Sequence, residues 1–89
     1  MIRLEWSGRF ERSLKKWISK HPASREVIRQ KLHQFSADPY APELKNHKLS
    51  GTLKGLRAIS VGYDCRIVFS FLDENTALLV AIGTHDEVY

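Results

Sequence analysis

The tightest constraint on the fold lies in the C-terminal half of the sequence, where three apolar runs follow one another with only short polar links between them. Residues 56–61, 66–71 and 76–82 are rich in Leu, Ile, Val and Phe and too short for typical helices, so they read as strands. The links hold Gly62-Tyr63-Asp64 and Asp73-Glu74-Asn75, residue types that turn a chain. Links of this length cannot carry a crossover, so the three strands form an antiparallel meander. The last run, Ala77 through Ile82, is almost purely apolar and predicts a buried strand that stops at Gly83.

The first half follows a different period. Residues 2–6 alternate apolar and polar and predict a first strand. From Ser7 onward Phe10, Leu14, Trp17 and Ile18 recur at helical spacing, which gives one core-facing stripe until His21-Pro22 stops the helix. Ser24 is the expected N-cap of a second helix, with Glu26 in its first turn, Ile28, Leu32 and Phe35 on one face, and Asp38-Pro39 at its end. Residues 40–54 contain Pro42, Asn46 and Gly51 and read mostly as loop. The order predicts a single α+β domain over residues 1–89: an N-terminal strand, a two-helix hairpin and a three-stranded antiparallel meander. The helices pack on one face of the sheet, and the other face is expected to be free.

Composition excludes several classes. A chain of 89 residues, 43% hydrophobic and 27% charged, has room for one modest core and carries neither the signature of disorder nor a membrane-spanning apolar run. Arg3, Glu5 and Trp6 stand where a secretory leader would be apolar, and the lone Cys65 cannot form an internal disulfide. A cytoplasmic setting is therefore expected. No cysteine cluster and no H-x-x-x-H pair is present, so neither a metal site nor a cofactor is expected.

Charge is unevenly placed. Residues 1–44 carry nine Lys or Arg against five Asp or Glu, residues 45–66 five against one, and residues 67–89 none against four. The middle block, with Lys45, Lys48, Lys54, Arg57 and Arg66 against Asp64 alone, can present an electropositive strip to a polyanion. A second cluster, Arg9, Arg12, Lys15, Lys16 and Lys20, falls on the first helix, where basic residues ordinarily solvate the outer face. His85 follows the last strand on its rim, and imidazole titrates nearest neutrality. A sheet face bordered by the basic loop and this tail would gather His47, Lys54, Arg57, Asp64, Arg66 and His85 at one site. By residue type alone each has an ordinary reading too: a loop histidine, a tail histidine, a turn former, a strand charge.

The stretch Asn46-His47-Lys48-Leu49-Ser50-Gly51-Thr52-Leu53-Lys54-Gly55-Leu56-Arg57, with Gly62-Tyr63-Asp64-Cys65-Arg66-Ile67-Val68-Phe69 and Gly83-Thr84-His85, resembles the RelE/ParE superfamily of type II toxin-antitoxin toxins. It is most similar to the mRNA interferases of the YafQ and RelE types. The resemblance implies a ribosome-dependent endoribonuclease that acts on mRNA and is held inactive by a cognate antitoxin in a hetero-oligomeric complex. It also implies that His47, Asp64, His85 and Tyr89 occupy catalytic and substrate-stacking positions, and Arg66 that of a phosphate-binding arginine. Lys45, Lys48, Lys54 and Arg57 would bind substrate beside them. One departure stands out: YafQ-like toxins have an arginine two residues before the Gly-Thr-His, and this chain has Ala81.

These residue types suit that chemistry. RNA carries its own nucleophile, the 2′-hydroxyl, which attacks the adjacent phosphorus when a base takes its proton and an acid protonates the leaving 5′-oxygen. Two histidines divide that labour without a metal. Arg66 would neutralise the phosphoryl oxygens, Asp64 would orient an imidazole or accept a proton, and Tyr89 would stack on a base. The same fold and charge also fit a ParE-like inhibitor of DNA gyrase without nuclease activity, and a basic RNA-binding module without catalysis.

Overall fold

The computed structural model describes residues 1–62 and 64–89; Tyr63, the middle of the expected Gly62-Tyr63-Asp64 turn, lies outside the described residues. The chain runs β1 (Arg3–Trp6), α1 (Gly8–Lys20), α2 (Arg25–Ala37), β2 (His47–Lys48), β3 (Arg57–Gly62), β4 (Cys65–Asp73), β5 (Thr76–Gly83) and α3 (His85–Val88). The strands form one five-stranded sheet in the order β1-β5-β4-β3-β2. The expected meander is β3-β4-β5, antiparallel throughout, and β1 joins it by pairing in parallel with β5. Strand β2 was not expected: two residues carry no readable period, and His47 and Lys48 are recruited by pairing with Ala58 and Arg57 of β3.

The helices cover one face of the sheet. Phe10 of α1 and Phe35 of α2 are fully buried against Ile59, Ile67, Phe69 and Leu79 of the strands. Phe35 meets Phe69 edge-on with ring centroids 4.7 Å apart, a preferred aromatic geometry, and each such side chain removed from water contributes about 1.5 to 3 kcal/mol. Trp6 is 48% exposed and meets Phe10 edge-on with ring centroids 5.1 Å apart.

Helix α1 begins as expected. Ser7 Oγ accepts from Phe10 N at 3.0 Å, closing an N-cap. The second helix starts differently: Ser24 is helical in backbone and its hydroxyl donates backward to His21 O at 2.6 Å, so it does not cap. Pro22 starts a 3₁₀ turn over Pro22–Ser24 that leads straight into α2, and this leaves no extended residue to serve as a cap.

The sheet edge matters most for the site. β1 leaves β5 after Trp6 pairs with Leu79, yet β5 runs on to Gly83. Its exposed edge is completed by side chains of the first helix: Ser7 Oγ donates to Val80 O at 3.0 Å, and Ile82 N donates to Ser13 Oγ at 3.1 Å. We expect Ser7→Ala and Ser13→Ala each to lower the unfolding free energy by about 1 to 2 kcal/mol, the cost of a lost cap or an orphaned buried donor. Urea melts of both variants, with the exposed Ser19→Ala as control, check this.

Cys65 at the start of β4 is buried, and that burial pushes its thiol from the usual 9.0 up to about 12. A raised folded value stabilises the fold fully below the unfolded pKa and loses that contribution as the thiol ionises, here as pH rises from 9 through about 12. Wild-type protein should therefore lose stability relative to Cys65→Ala across that window, measured by chemical denaturation at stepped pH.

Candidate active site

The site lies on the sheet face opposite α1 and α2, at the end where β2 and the C-terminal turn meet. His47 is delivered by a short 3₁₀ turn, Pro42–Leu44, whose Leu44 is fully buried and which closes on Lys45 in the left-handed conformation at φ 52°. Asn46 ties this loop down: its amide donates to Pro39 O at 2.9 Å and its oxygen accepts from Arg57 Nε at 2.7 Å. Lys45 O lies 2.9 Å from His47 Nδ1. A carbonyl can only accept, so Nδ1 carries the proton and, in the neutral ring, Nε2 presents a lone pair. That lone pair faces the Tyr89 hydroxyl at 3.3 Å.

The C-terminal turn is built to hold its side chains. Thr84 Oγ1 accepts from Glu87 N at 3.2 Å and Glu87 Oε1 accepts from Thr84 N at 2.9 Å, a complete capping box that holds the Glu87 carboxyl below its usual range. Val88 is buried against Val68 and Ala81, with Leu49, Leu56 and Val80 at the margin. The second face of the sheet, expected to be free, is thus partly covered by this turn. Gly83 is where the turn folds back: a Cβ there would stand 3.0 Å from Glu87 Oε1, 3.1 Å from Glu87 Cβ and 3.3 Å from Val88 Cγ1. With the turn fixed, His85 meets the Tyr89 ring edge-on at 4.3 Å, and Asp86 Oδ1 stands 3.5 Å from His85 Nδ1. Tyr89 therefore touches both histidines. Burial raises its phenol pKa, with the Arg66 charge acting in the opposite sense.

The other expected residues divide. Arg66 pairs with Gly83 in the strand register, at the foot of the turn, and its Nη1 donates to Cys65 O at 3.2 Å and Gly62 O at 3.4 Å. Asp64 is exposed in the β3–β4 turn and, among the described residues, hydrogen-bonds neither imidazole; Asp86 holds the place beside His85 instead. Lys45 contributes its carbonyl rather than its ammonium. Lys48 borders a shallow cavity of about 380 Å³ with Ser50, Thr52 and Tyr89. Lys54 and Arg57 border a neighbouring one of about 530 Å³ with Leu56 and Phe71. Arg57 shares the register of the core residues Ile59 and Val61, and its guanidinium stacks 5.5 Å over the Tyr40 ring, away from the histidines. Ala81 is buried beneath Val88, so the small residue at the departure from the family pattern is the one that makes room for the turn. Among the described residues no group of three or more His, Cys, Asp or Glu could hold a metal ion.

The residues that sequence reasoning missed are Asp86, Glu87 and Val88. Thr84-x-x-Glu87 was readable as a capping box. Since a methyl group at Gly83 collides with Glu87 and Val88, Gly83→Ala should displace the turn while the sheet persists. Loss of the nuclear Overhauser contact between Tyr89 and His47, with circular dichroism unchanged, is the expected result.

A family model for YafQ, described as the bacterial toxin of a type II toxin-antitoxin system, matches residues 2–89. A metal-bound toxin from Helicobacter pylori is 30% identical over 100% of both chains, with a TM-score of 0.81. YafQ from Escherichia coli BL21(DE3) superposes at TM-score 0.81 with 20% identity, over 100% of this chain and 99% of that one. The E. coli DinJ-YafQ complex matches at 0.71 with 21% identity, again over 100% and 99%. No curated protein sequence matches the chain. The motifs around His47 and His85, the sheet order and the family match over nearly the whole length lead to one conclusion: the chain belongs to the YafQ family of type II toxin-antitoxin toxins.

Proposed function

We propose that this toxin is a ribosome-dependent endoribonuclease that cleaves mRNA by attack of the 2′-hydroxyl on the adjacent phosphorus. The observation that carries the reading is the His47–Tyr89–His85 cluster: two imidazoles on separate elements are linked through one phenol, with Tyr89 Oη 3.3 Å from His47 Nε2 and its ring 4.3 Å from His85. His47 is the general base: its Nδ1 is committed to Lys45 O, and its Nε2 lone pair, which faces the Tyr89 hydroxyl here, takes the 2′-hydroxyl proton once substrate displaces that contact. His85 is the acid for the 5′-oxygen, with Asp86 beside its Nδ1. Arg66 neutralises the charge that gathers on the phosphoryl oxygens, and Tyr89 serves as stacking platform and as the group that holds His47 in line. The P–O2′ bond forms as the P–O5′ bond breaks, leaving a 2′,3′-cyclic phosphate and a 5′-hydroxyl, and the side chains supply proton transfer and charge neutralisation without a metal.

Regulation follows from charge. The basic strip of Lys45, Lys48 and Lys54 is exposed, and YafQ of E. coli forms a complex with DinJ. A cognate antitoxin with an acidic segment is the expected partner here, bound in a toxin-antitoxin hetero-oligomer.

His47→Ala and His85→Ala should each lower mRNA cleavage on programmed ribosomes by at least about 10²-fold with the fold intact, the scale of losing a general acid or base. Arg66→Lys should retain RNA binding and lose turnover, since the charge remains but the planar fork does not. Primer-extension mapping with single-turnover rates checks both. Undiminished cleavage by the double histidine variant would exclude the nuclease site, and inhibition of gyrase without any cleavage would assign the protein to the ParE type of action.

A further inference from the structure

The basic cluster on the first helix has a place in the fold beyond solvation. Arg9, Lys16 and Lys20 recur along one line of α1 and, with Ser13 and Trp17, form one wall of a cleft of about 460 Å³. The opposite wall is the end of β5 and the C-terminal turn, through Thr84, Glu87 and Val88. Helical spacing sets the geometry of that turn: residues 84, 87 and 88 face the cleft and the sheet, whereas His85 and Tyr89, four apart, share the side that meets His47. α3 is therefore a ridge with the candidate active site on one flank and the basic cleft on the other.

The chemistry of the cleft is that of an RNA-binding surface. Three cations face one carboxylate, and that carboxylate, Glu87, is already engaged by Thr84 N. Trp17 and His21 pack with ring planes tilted 33° and centroids 4.2 Å apart, so the cleft pairs aromatic surface with positive charge, as single-stranded nucleic acid sites do. Trp17 also carries the only buried side-chain polar atom without a hydrogen-bond partner among the described residues, its indole N–H, a donor that lacks an oxygen. Lys15, one position along the helix, turns the other way and borders a separate groove with Leu14, Ile18 and Arg25. The charge of α1 is thus directed.

We propose that the cleft between α1 and the C-terminal turn is a second single-stranded RNA site, in which Arg9, Lys16 and Lys20 hold phosphates and the Trp17–His21 pair supports a base, so that RNA crosses the α3 ridge from one flank to the other. This rests on the nuclease reading above and extends it. The RNA comes either from the message on both sides of the cleaved bond or from the ribosome that presents it, and the phosphodiester chemistry is the same.

The test uses the full chain and a short fluorescent single-stranded RNA with 2′-methoxy groups, which binds without being cleaved. The Lys16→Ala, Lys20→Ala variant should bind about 10-fold more weakly at moderate salt, and its slope of log affinity against log salt should fall by about 1.4, roughly 0.7 for each phosphate no longer neutralised. The charge-matched Lys15→Ala, Arg25→Ala variant should match wild type in both. In a Trp6→Phe background Trp17 is the sole indole, because the chain holds two tryptophans, and its emission should change on RNA addition. A loss on the free RNA assigns the cleft to the message; a loss confined to co-sedimentation with ribosomes assigns it to ribosomal RNA. Unchanged affinity, slope and ribosome binding in the Lys16, Lys20 variant overturns the cleft alone. Wild-type protein that binds neither RNA nor ribosomes overturns the nuclease reading and the cleft with it.

Discussion

The structure depends on how the free edge of β5 is completed. A strand that outruns its neighbour exposes unpaired amides and carbonyls, which cost free energy when buried and invite pairing with other chains when exposed. Here two serines of α1 and its cap satisfy them, Ser7 at Val80 O and Ser13 at Ile82 N. Ser7 does this while capping its own helix. The hydroxyls lock α1 to the strand that delivers the C-terminal turn, so the helix, the sheet and the site share one set of bonds.

From that anchored strand end the site is assembled by packing rather than by ion pairing. The turn is held by a capping box, by Val88 on Val68 and Ala81, and by a glycine that has no Cβ to keep it away. Surface ion pairs contribute little by comparison: Arg29 with Glu26 is exposed, and solvent screens the attraction. A buried valine and a hydrogen-bonded turn fix a histidine far better than a solvated carboxylate does. Asp64 is exposed in its turn and, among the described residues, hydrogen-bonds neither imidazole.

The arrangement also gives a physical account of the departure at position 81. Val68 opposes Ala81 in the β4–β5 register, two residues along from Arg66 opposite Gly83, so both positions face the candidate site. Ala81 packs with Val68 and Val88 and also borders the cleft between α1 and the C-terminal turn. In this chain the space goes to anchoring the turn, and Arg66 is left as the cation at its foot.

The sequence by itself determined the elements and their class. The helical stripe of Phe10, Leu14, Trp17 and Ile18, the apolar runs of the meander and the short links between them are local patterns, set by side-chain period and turn chemistry, and they fixed an α+β chain. The motifs around His47 and His85 pointed to the family for the same reason. What remained illegible is what two distant segments do to each other. β2 exists only because β3 offers it a partner, Ser24 fails to cap because Pro22 has already begun a turn, and Arg57 faces the helices because register assigns it to the core side. The contact of Tyr89 with His47, 42 residues apart, could not be read from either segment. Periodicity reports which face a residue takes within its own element; only the packed sheet decides which faces meet.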